Sequence, residues 1–196
     1  MTGHRLVAPF LGRFTASLLA IAAAGSPSLA ANTALKFVGT NAYAGFGNPA
    51  PLGLSTFTVE CWFRRDGPGV TLFTGAGGLG STVPLVTKGR GEDDGDNRDM
   101  NYFLGLKNSS LGVDFEEGAA GSSPGQNHSV TGVTPLTTGV WYHAAATYDG
   151  SRLQLFLNGA LEAQSIVNEP PRFDSIQPVA IATGLNSLSV PGGFFD

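Results

Sequence analysis

The sequence predicts an all-β, antiparallel fold that is a sandwich, a jelly roll or a barrel. Convincing helical periodicity is absent after residue 32, and short runs of β-branched, aromatic and aliphatic residues recur between Gly, Pro, Asn and Asp. Two dipeptides, Asp149-Gly150 and Asn158-Gly159, each join two alternating runs. Because they supply the positive φ angles of tight hairpin turns, they predict three consecutive antiparallel strands at 141–148, 152–157 and 160–166.

Alternation along the chain defines the individual strands. In the run at 56–65, Cys61 lies on an apolar face, whereas Trp62 lies on the opposite, polar or half-exposed face. Cys61 is the only cysteine, so no intrachain disulfide is possible, and its strand position indicates a buried structural thiol. The Gly/Ser-rich stretches 67–82 and 118–132 predict long loops. The predicted strands cover residues 34–39, 56–65, 83–89, 101–107, 111–117, 139–149, 151–159, 160–167 and 179–184.

The first residues have the pattern of a targeting segment. Basic residues precede an apolar run at 15–25, and small residues follow it. This order predicts a secretory signal peptide over 1–31, and the run is shorter than the roughly 20 apolar residues of a membrane span. The alternative is a short N-terminal helix or a retained anchor. We therefore expect an exported protein whose single domain occupies residues 32–196.

The charge distribution excludes some classes of partner. The chain has a net charge of −4, and only 13% of its residues are charged. No cluster of Lys or Arg is present, which argues against a nucleic-acid or anionic-membrane surface. The Gly-rich stretches lack the strand–loop–helix context of a nucleotide site.

Several motifs in one order resemble a known family. They are ALKFVGTNAYAGF, FTVECWFRR, VTKG with NYFLGL, GVWYHAAATYDGSRLQLFLNGALE and GGFFD. Together they resemble the laminin-G-like (pentraxin-like) branch of the concanavalin A-like lectin/glucanase superfamily. The most specific piece is WYHAAATYDGSRLQLFLNG, where Tyr142 replaces the usual first His and Asn158 the usual Asp. The resemblance implies an antiparallel two-sheet jelly-roll sandwich with one concave sheet.

The resemblance also implies one more strand after GGFFD, beside the first strand of the fold. We therefore expect the domain to lack its last strand, and the sequence to be a fragment of a longer secreted or cell-surface protein with other domains. An unpaired edge at ALKFVG would be prone to aggregation or swapping.

The resemblance and the absence of complete catalytic motifs favour a non-catalytic binding module, not an enzyme. The expected partner is a carbohydrate or another extracellular ligand, for example a protein. Three aromatic residues, Trp62, Tyr102 and Tyr142, are candidates for stacking on sugar rings, although aromatic residues at strand spacing are commonly part of the core. A structural or spacer domain is the first alternative. A glycoside hydrolase is the second, because Asp114 and Glu116 share a strand face but lack the full carboxylate triplet.

Charge is concentrated in one segment, where five acids fall within the eight positions 92–99. Calcium takes six to eight oxygen ligands in flexible geometry, and a bound cation would relieve the repulsion between these carboxylates. The candidate metal ligands are Asp93, Asp94, Asp96 and Asp99. The alternative is a solvated loop whose acids pair with Lys88, Arg90 and Arg98.

Overall fold

Antiparallel strands form nearly all of the regular structure. The structure is a computed structural model that describes residues 33–39 and 41–196, so the predicted signal peptide lies outside the described residues. No helix in this part of the chain is long and apolar enough to cross a membrane. The strands are β1 (Ala44–Gly45), β2 (Phe57–Arg64), β3 (Thr82–Lys88), β4 (Tyr102–Lys107), β5 (Ser110–Glu116), β6 (Asn127–Thr131), β7 (Trp141–Tyr148), β8 (Arg152–Leu157), β9 (Ala160–Ile166), β10 (Val179–Ile181), β11 (Gly184–Leu185) and β12 (Pro191–Gly192).

Two sheets form the sandwich. One has six strands in the order β1-β10-β3-β4-β5-β6, and the other has four in the order β2-β7-β8-β9. The strands β11 and β12 form a separate two-stranded ribbon. All of these pairings are antiparallel, which confirms the predicted fold class. A single 3-10 turn, Ala50–Leu52, is the only helical element among the described residues.

The two predicted hairpins have the turn geometry that their sequences require. Asn158 and Gly159 have φ angles of 50° and 80°, and Gly150 has a φ of 96°. Positive φ at these positions matches the twist of the flanking strands. The strands β7, β8 and β9 therefore pair consecutively, with the bounds that the sequence predicted.

Alternating side chains from the two sheets meet in the main core. Leu153 and Leu155 of β8 are fully buried there, and Cys61 of β2 points inward and packs against the same cluster. Full burial of an aliphatic side chain contributes about 1.5–3 kcal/mol relative to exposure. The predicted structural role of Cys61 agrees with this position.

A second apolar layer covers the outer face of the six-stranded sheet. It contains Leu79 and Phe103, together with Leu72 and Met100. Gly105 and Gly112 pair directly across β4 and β5, and a Cβ at Gly112 would lie 2.9 Å from Leu79 Cδ1. The segment before β3 thus packs directly on the backbone of β4 and β5, where the two glycines carry no side chain. The middle of the six-stranded sheet is buried on both faces, whereas the outer face of the four-stranded sheet is open.

Two local predictions are wrong. Residues 34–39 form no strand, and the sheet edge is instead the short β1 beside β10. The stretch predicted as a loop at 118–132 contains β6, which pairs with β5. The polar sequence of β6, NHSVT, lacks the apolar alternation on which the prediction depended.

Candidate functional site

Trp62 stands on the outer face of the four-stranded sheet, which we name the open face. Its side chain is 67% exposed, the ring centroids of Trp62 and His143 are 5.2 Å apart, and the two residues pair directly across β2 and β7. Glu60 lies two positions before Trp62, and its Oε2 is 3.5 Å from His143 Nε2. An exposed indole with polar groups beside it is the kind of surface on which an amphipathic ring can stack.

A second tryptophan continues this surface. Trp141 of β7 pairs with Arg64 of β2, whose guanidinium carbon lies 5.7 Å from the centroid of the indole ring. Arg64 also donates two hydrogen bonds, of 2.8 and 2.7 Å, to the Asp66 carboxylate. These bonds lower the pKa of Asp66, so the pair stays charged. The open face therefore carries two indole rings among polar groups.

The other two aromatic candidates lie inside the sandwich. Tyr102 is 4% exposed, and its ring lies 5.7 Å from that of Phe57. Tyr142 packs on Phe63, with ring centroids 5.9 Å apart, and its hydroxyl accepts a hydrogen bond from Thr137 N. Neither ring shares a face with Trp62. Tyr102 is buried, and Tyr142 is half-buried with its ring packed on Phe63.

The acidic segment 92–99 divides into two groups. Asp93 and Asp96 point outward and pair with Arg98, at 3.0 and 3.3 Å. Arg98 N also donates to Asp96 Oδ1, and these contacts lower the pKa of Asp96. This half of the segment is the solvated, ion-paired loop of the alternative interpretation.

The other half turns toward the sheet. Asp94 and Asp99 meet Glu116 at the end of β5, and one carboxylate oxygen from each lies within 4.8 Å of the other two. Asp94 is exposed at the rim, whereas Asp99 and Glu116 are fully buried. We name these three residues the acidic cluster. It contains two of the four predicted metal ligands and one residue, Glu116, that was not among them.

Two carboxylate oxygens of the acidic cluster lack a hydrogen-bond partner among the described residues. They are Asp99 Oδ2 and Glu116 Oε2, and both are buried. Burial raises the pKa of both carboxyls, and the contact with Asp99 raises that of Glu116 further. Arg172 lowers the pKa of Glu116, because its Nε donates a 2.8 Å hydrogen bond to Glu116 Oε1. The acidic cluster therefore has a deficit of positive charge that a proton or a cation could supply.

Asp114, the other carboxylate on this face of β5, is fully enclosed. Thr74 Oγ1 donates to its Oδ2 at 2.6 Å and Leu79 N at 3.0 Å, and Asn127 Nδ2 lies 3.4 Å from its Oδ1. Burial raises the pKa of Asp114 to about 7. The segment before β3 thus separates this carboxyl from solvent, and a polysaccharide has no access to it in this structure.

The sequence pattern identified part of this arrangement. The period-two spacing placed Asp114 and Glu116 on one face of β5, as the structure has them. Nothing in the local pattern indicated that Arg172, more than fifty positions later, would meet Glu116. The contact between Arg172 and Glu116 depends on the path that the chain takes between β9 and β10.

A protein-family model matches most of the chain. The model described as the concanavalin A-like lectin/glucanases superfamily, Laminin_G_3, matches residues 38–190. No curated protein sequence matches the chain significantly.

Solved structures share the fold at low sequence identity. The Ruminococcus gnavus IT-sialidase CBM40 bound to α2,3-sialyllactose superposes with a TM-score of 0.53 and 15% identity, over 74% of this chain and 75% of that one. The same module bound to α2,6-sialyllactose gives a TM-score of 0.51 and 16% identity, over 74% and 76% of the two chains. At this identity the likeness concerns the fold, which resembles that of carbohydrate-binding modules.

Proposed function

The chain belongs to the concanavalin A-like lectin/glucanases superfamily, and on that premise we propose that it is a non-catalytic module that binds carbohydrate at the open face. The observation that carries this proposal is the exposed indole of Trp62 beside Glu60 and His143. Aromatic side chains stack on the apolar face of a sugar, and neighbouring polar groups bond its hydroxyls. The likeness to sialyllactose-binding modules supports the same class of ligand through the fold.

The burial of the acids on β5 supports a non-catalytic role. Retaining hydrolysis needs two carboxyl groups about 5–5.5 Å apart on either side of a bound glycosidic bond. Asp114 is enclosed by Thr74 and Leu79, and Glu116 is held by Arg172. Both groups therefore serve the scaffold. The glycoside hydrolase alternative has no exposed carboxylate pair on this strand to support it.

Binding to an array of glycans, using the full chain, tests the proposal. The array should include both sialyllactoses and neutral oligosaccharides. We expect Trp62→Ala to weaken binding by roughly ten- to a hundredfold. A large apolar side chain that the bound sugar covers contributes about 1.5–3 kcal/mol to binding. The control is Phe73→Ala, which removes another ring that is more than half exposed.

Two results would count against this proposal, the first against carbohydrate binding and the second against the open face. A wild-type chain that binds no glycan would refute the proposal. Binding that is equal in the wild type and in Trp62→Ala would place the ligand elsewhere than on the open face. In the first case the structural or spacer alternative becomes the better interpretation, because that role needs no ligand.

We also propose that the acidic cluster binds Ca²⁺. Three carboxylates that converge from two segments are hard oxygen donors, and calcium accepts them together with backbone and water oxygens. The two buried oxygens without partners, on Asp99 and Glu116, point to a missing positive charge. The ligands would be Asp94, Asp99 and Glu116, and the ion would join the acidic segment to β5.

Secretion completes the proposal. The basic and apolar pattern of residues 1–31 supports export, and extracellular calcium is abundant enough for a site of modest affinity. The partners would then be glycans or glycosylated surfaces outside the cell. Detection of the mature chain in the medium of an expressing cell, with a new N-terminus near residue 32, would test the export step.

A further inference from the structure

A small cleft opens at the side of the molecule, between the 3-10 turn and the segment that follows Arg172. Its volume is about 340 Å³, at the lower end of the range for ligand pockets, which suits one or two sugar rings. It is lined by Asn48, Ala50, Gly53, Phe173, Asp174 and Ser175.

A buried lysine joins the two walls of this cleft. Lys88 is fully buried, and its Nζ donates hydrogen bonds to Asn48 Oδ1, to Ser175 O at 2.9 Å and to Gln177 O at 2.8 Å. Lysine can only donate, so the Asn48 oxygen is the atom that faces it. The Nδ2 group of Asn48 is therefore directed away from Lys88, and it donates to no protein group among the described residues.

The second wall presents an aromatic ring and a carboxylate. Phe173 is 53% exposed, and the Asp174 side chain is half-exposed. The backbone on either side is fixed, because Arg172 N donates to Glu116 O at 2.8 Å and Ser175 Oγ donates to the Asp99 carbonyl. A rigid wall lowers the entropy cost of binding.

We propose that this cleft is a second carbohydrate contact, which takes a single neutral sugar ring. Phe173 would stack on the apolar face of the ring, Asn48 Nδ2 would donate to one hydroxyl oxygen, and Asp174 would accept from a neighbouring hydroxyl. A donor and an acceptor side by side match adjacent hydroxyl groups, each of which can do both. The inference rests on the proposed carbohydrate function and adds a site that is separate from the open face.

The charges at the cleft select against acidic sugars. The carboxylate of Asp174 lines the wall, and the Lys88 ammonium is already bonded to three neutral acceptors behind it. Arg172 Nη1 lies 3.7 Å from Asp174 Oδ1, but the Arg172 side chain is only 1% exposed, so a sugar carboxylate would meet the carboxylate of Asp174 without a cation that is accessible to it. The ligand class is therefore a neutral pyranose or furanose, such as a terminal residue of an oligosaccharide.

Saturation-transfer NMR on the full chain tests this site. The probes are the methyl glycosides of glucose, galactose, mannose, N-acetylglucosamine and arabinose, with methyl sialoside as the acidic comparison. We expect transfer to at least one neutral glycoside and none to the sialoside at this site. In the background of Trp62→Ala, which removes the open-face site, the signal should be lost on adding Phe173→Ala and weakened about tenfold or more on adding Asp174→Asn. The control Phe73→Ala removes a ring of nearly equal exposure, 54%, and should keep the signal.

The outcomes separate this inference from the proposed function. Glycan binding that survives in Phe173→Ala and Asp174→Asn but is lost in Trp62→Ala overturns the cleft and leaves the carbohydrate module intact. Binding of no saccharide by the wild-type chain overturns both. Asp174→Asn keeps the size of the side chain, so a loss of signal in that variant, with an unchanged melting temperature, supports the cleft independently of folding.

Discussion

Arg172 and Glu116 form the most deeply buried ion pair in the described part of the chain. Arg172 Nε lies 2.8 Å from Glu116 Oε1, and the two side chains are 1% and 0% exposed. Their backbones are also bonded, from Arg172 N to Glu116 O at 2.8 Å. This contact attaches the segment before β10 to the end of β5, and it places the acidic cluster and the wall of the cleft side by side.

Removal of the arginine should destabilise the protein strongly. Arg172→Ala leaves Glu116 buried without its partner, and breaking a buried pair in this way costs about 3–5 kcal/mol. Urea unfolding of the full chain measures the change. The control is Arg64→Ala, which removes an exposed arginine that pairs with Asp66, and it should move the midpoint far less. Equal effects of the two substitutions would contradict the structural role of Arg172.

Calcium should stabilise the fold through the inner half of the acidic segment. At a calcium concentration one hundred times the dissociation constant, binding to the native state alone adds about 2.7 kcal/mol. Thermal unfolding in millimolar calcium and in chelator measures this shift. We expect Asp94→Asn to abolish it and Asp96→Asn to keep it, because Asp96 faces Arg98 and lies outside the acidic cluster. No shift in the wild type, or equal loss in both variants, would refute the proposed ligand set.

Stability should rise with pH on the alkaline side. Burial lowers the pKa of Lys88 from 10.5 to about 8, so between these values the unfolded chain binds more protons than the folded chain. The stability that the neutral amine provides is thus complete above pH 10.5 and is lost as the pH falls through about 8. Urea unfolding from pH 8 to about 9, below most of the range in which the Cys61 thiol and the Tyr102 hydroxyl ionise in the unfolded chain, should show this rise in the wild type and in Lys36→Met, which replaces an exposed lysine. In Lys88→Met the rise in stability should be smaller. A rise identical to that of the wild type would show that Lys88 does not cause it.

The thiol of Cys61 should be inert in the native protein. Burial raises its pKa to about 12, and the thiolate is the species that reacts with disulfide reagents. Labelling with a chromogenic disulfide at pH 8 should therefore be slow until urea unfolds the chain. Thr58→Cys adds a thiol on the outward face of the same strand and should react at once. Rapid labelling of the wild type would show that β2 opens easily or that Cys61 is accessible.

Local chemistry explains which parts of the fold could be predicted. The hairpins of β7, β8 and β9 follow from Asn158-Gly159 and Asp149-Gly150, since the turn residues themselves fix the geometry. The strand β6 could not be found in this way, because its pairing with β5 depends on backbone bonds and its side chains show no alternation. The strand predicted at 34–39 failed for the opposite reason: its side-chain pattern suits a strand, but no strand within residues 33–39 and 41–196 pairs with it.

The candidate site was predictable only in part. The sequence placed Trp62 on the half-exposed face of β2, and the structure leaves it exposed. It could not separate Asp94 and Asp99 from their neighbours Asp93 and Asp96. Two tight turns within the segment, from Asp96 N to Asp93 O and from Asp99 N to Asp96 O, send alternate carboxylates to opposite sides. Glu116 joins them only because β5 ends beneath this segment.

The covering of the six-stranded sheet also bears on how the protein could evolve. Leu72 and Thr82 are bridged, so the chain leaves and returns at the same point of the sheet. Deletion of the residues between them could be closed by a short turn, without altering any strand of the sandwich. The loss would uncover Asp114 and Asn127 together with the apolar side chains of Phe103 and Met100, beside the glycine pair Gly105–Gly112. One loop, and not the strands themselves, therefore decides which groups this side of the sheet presents to solvent.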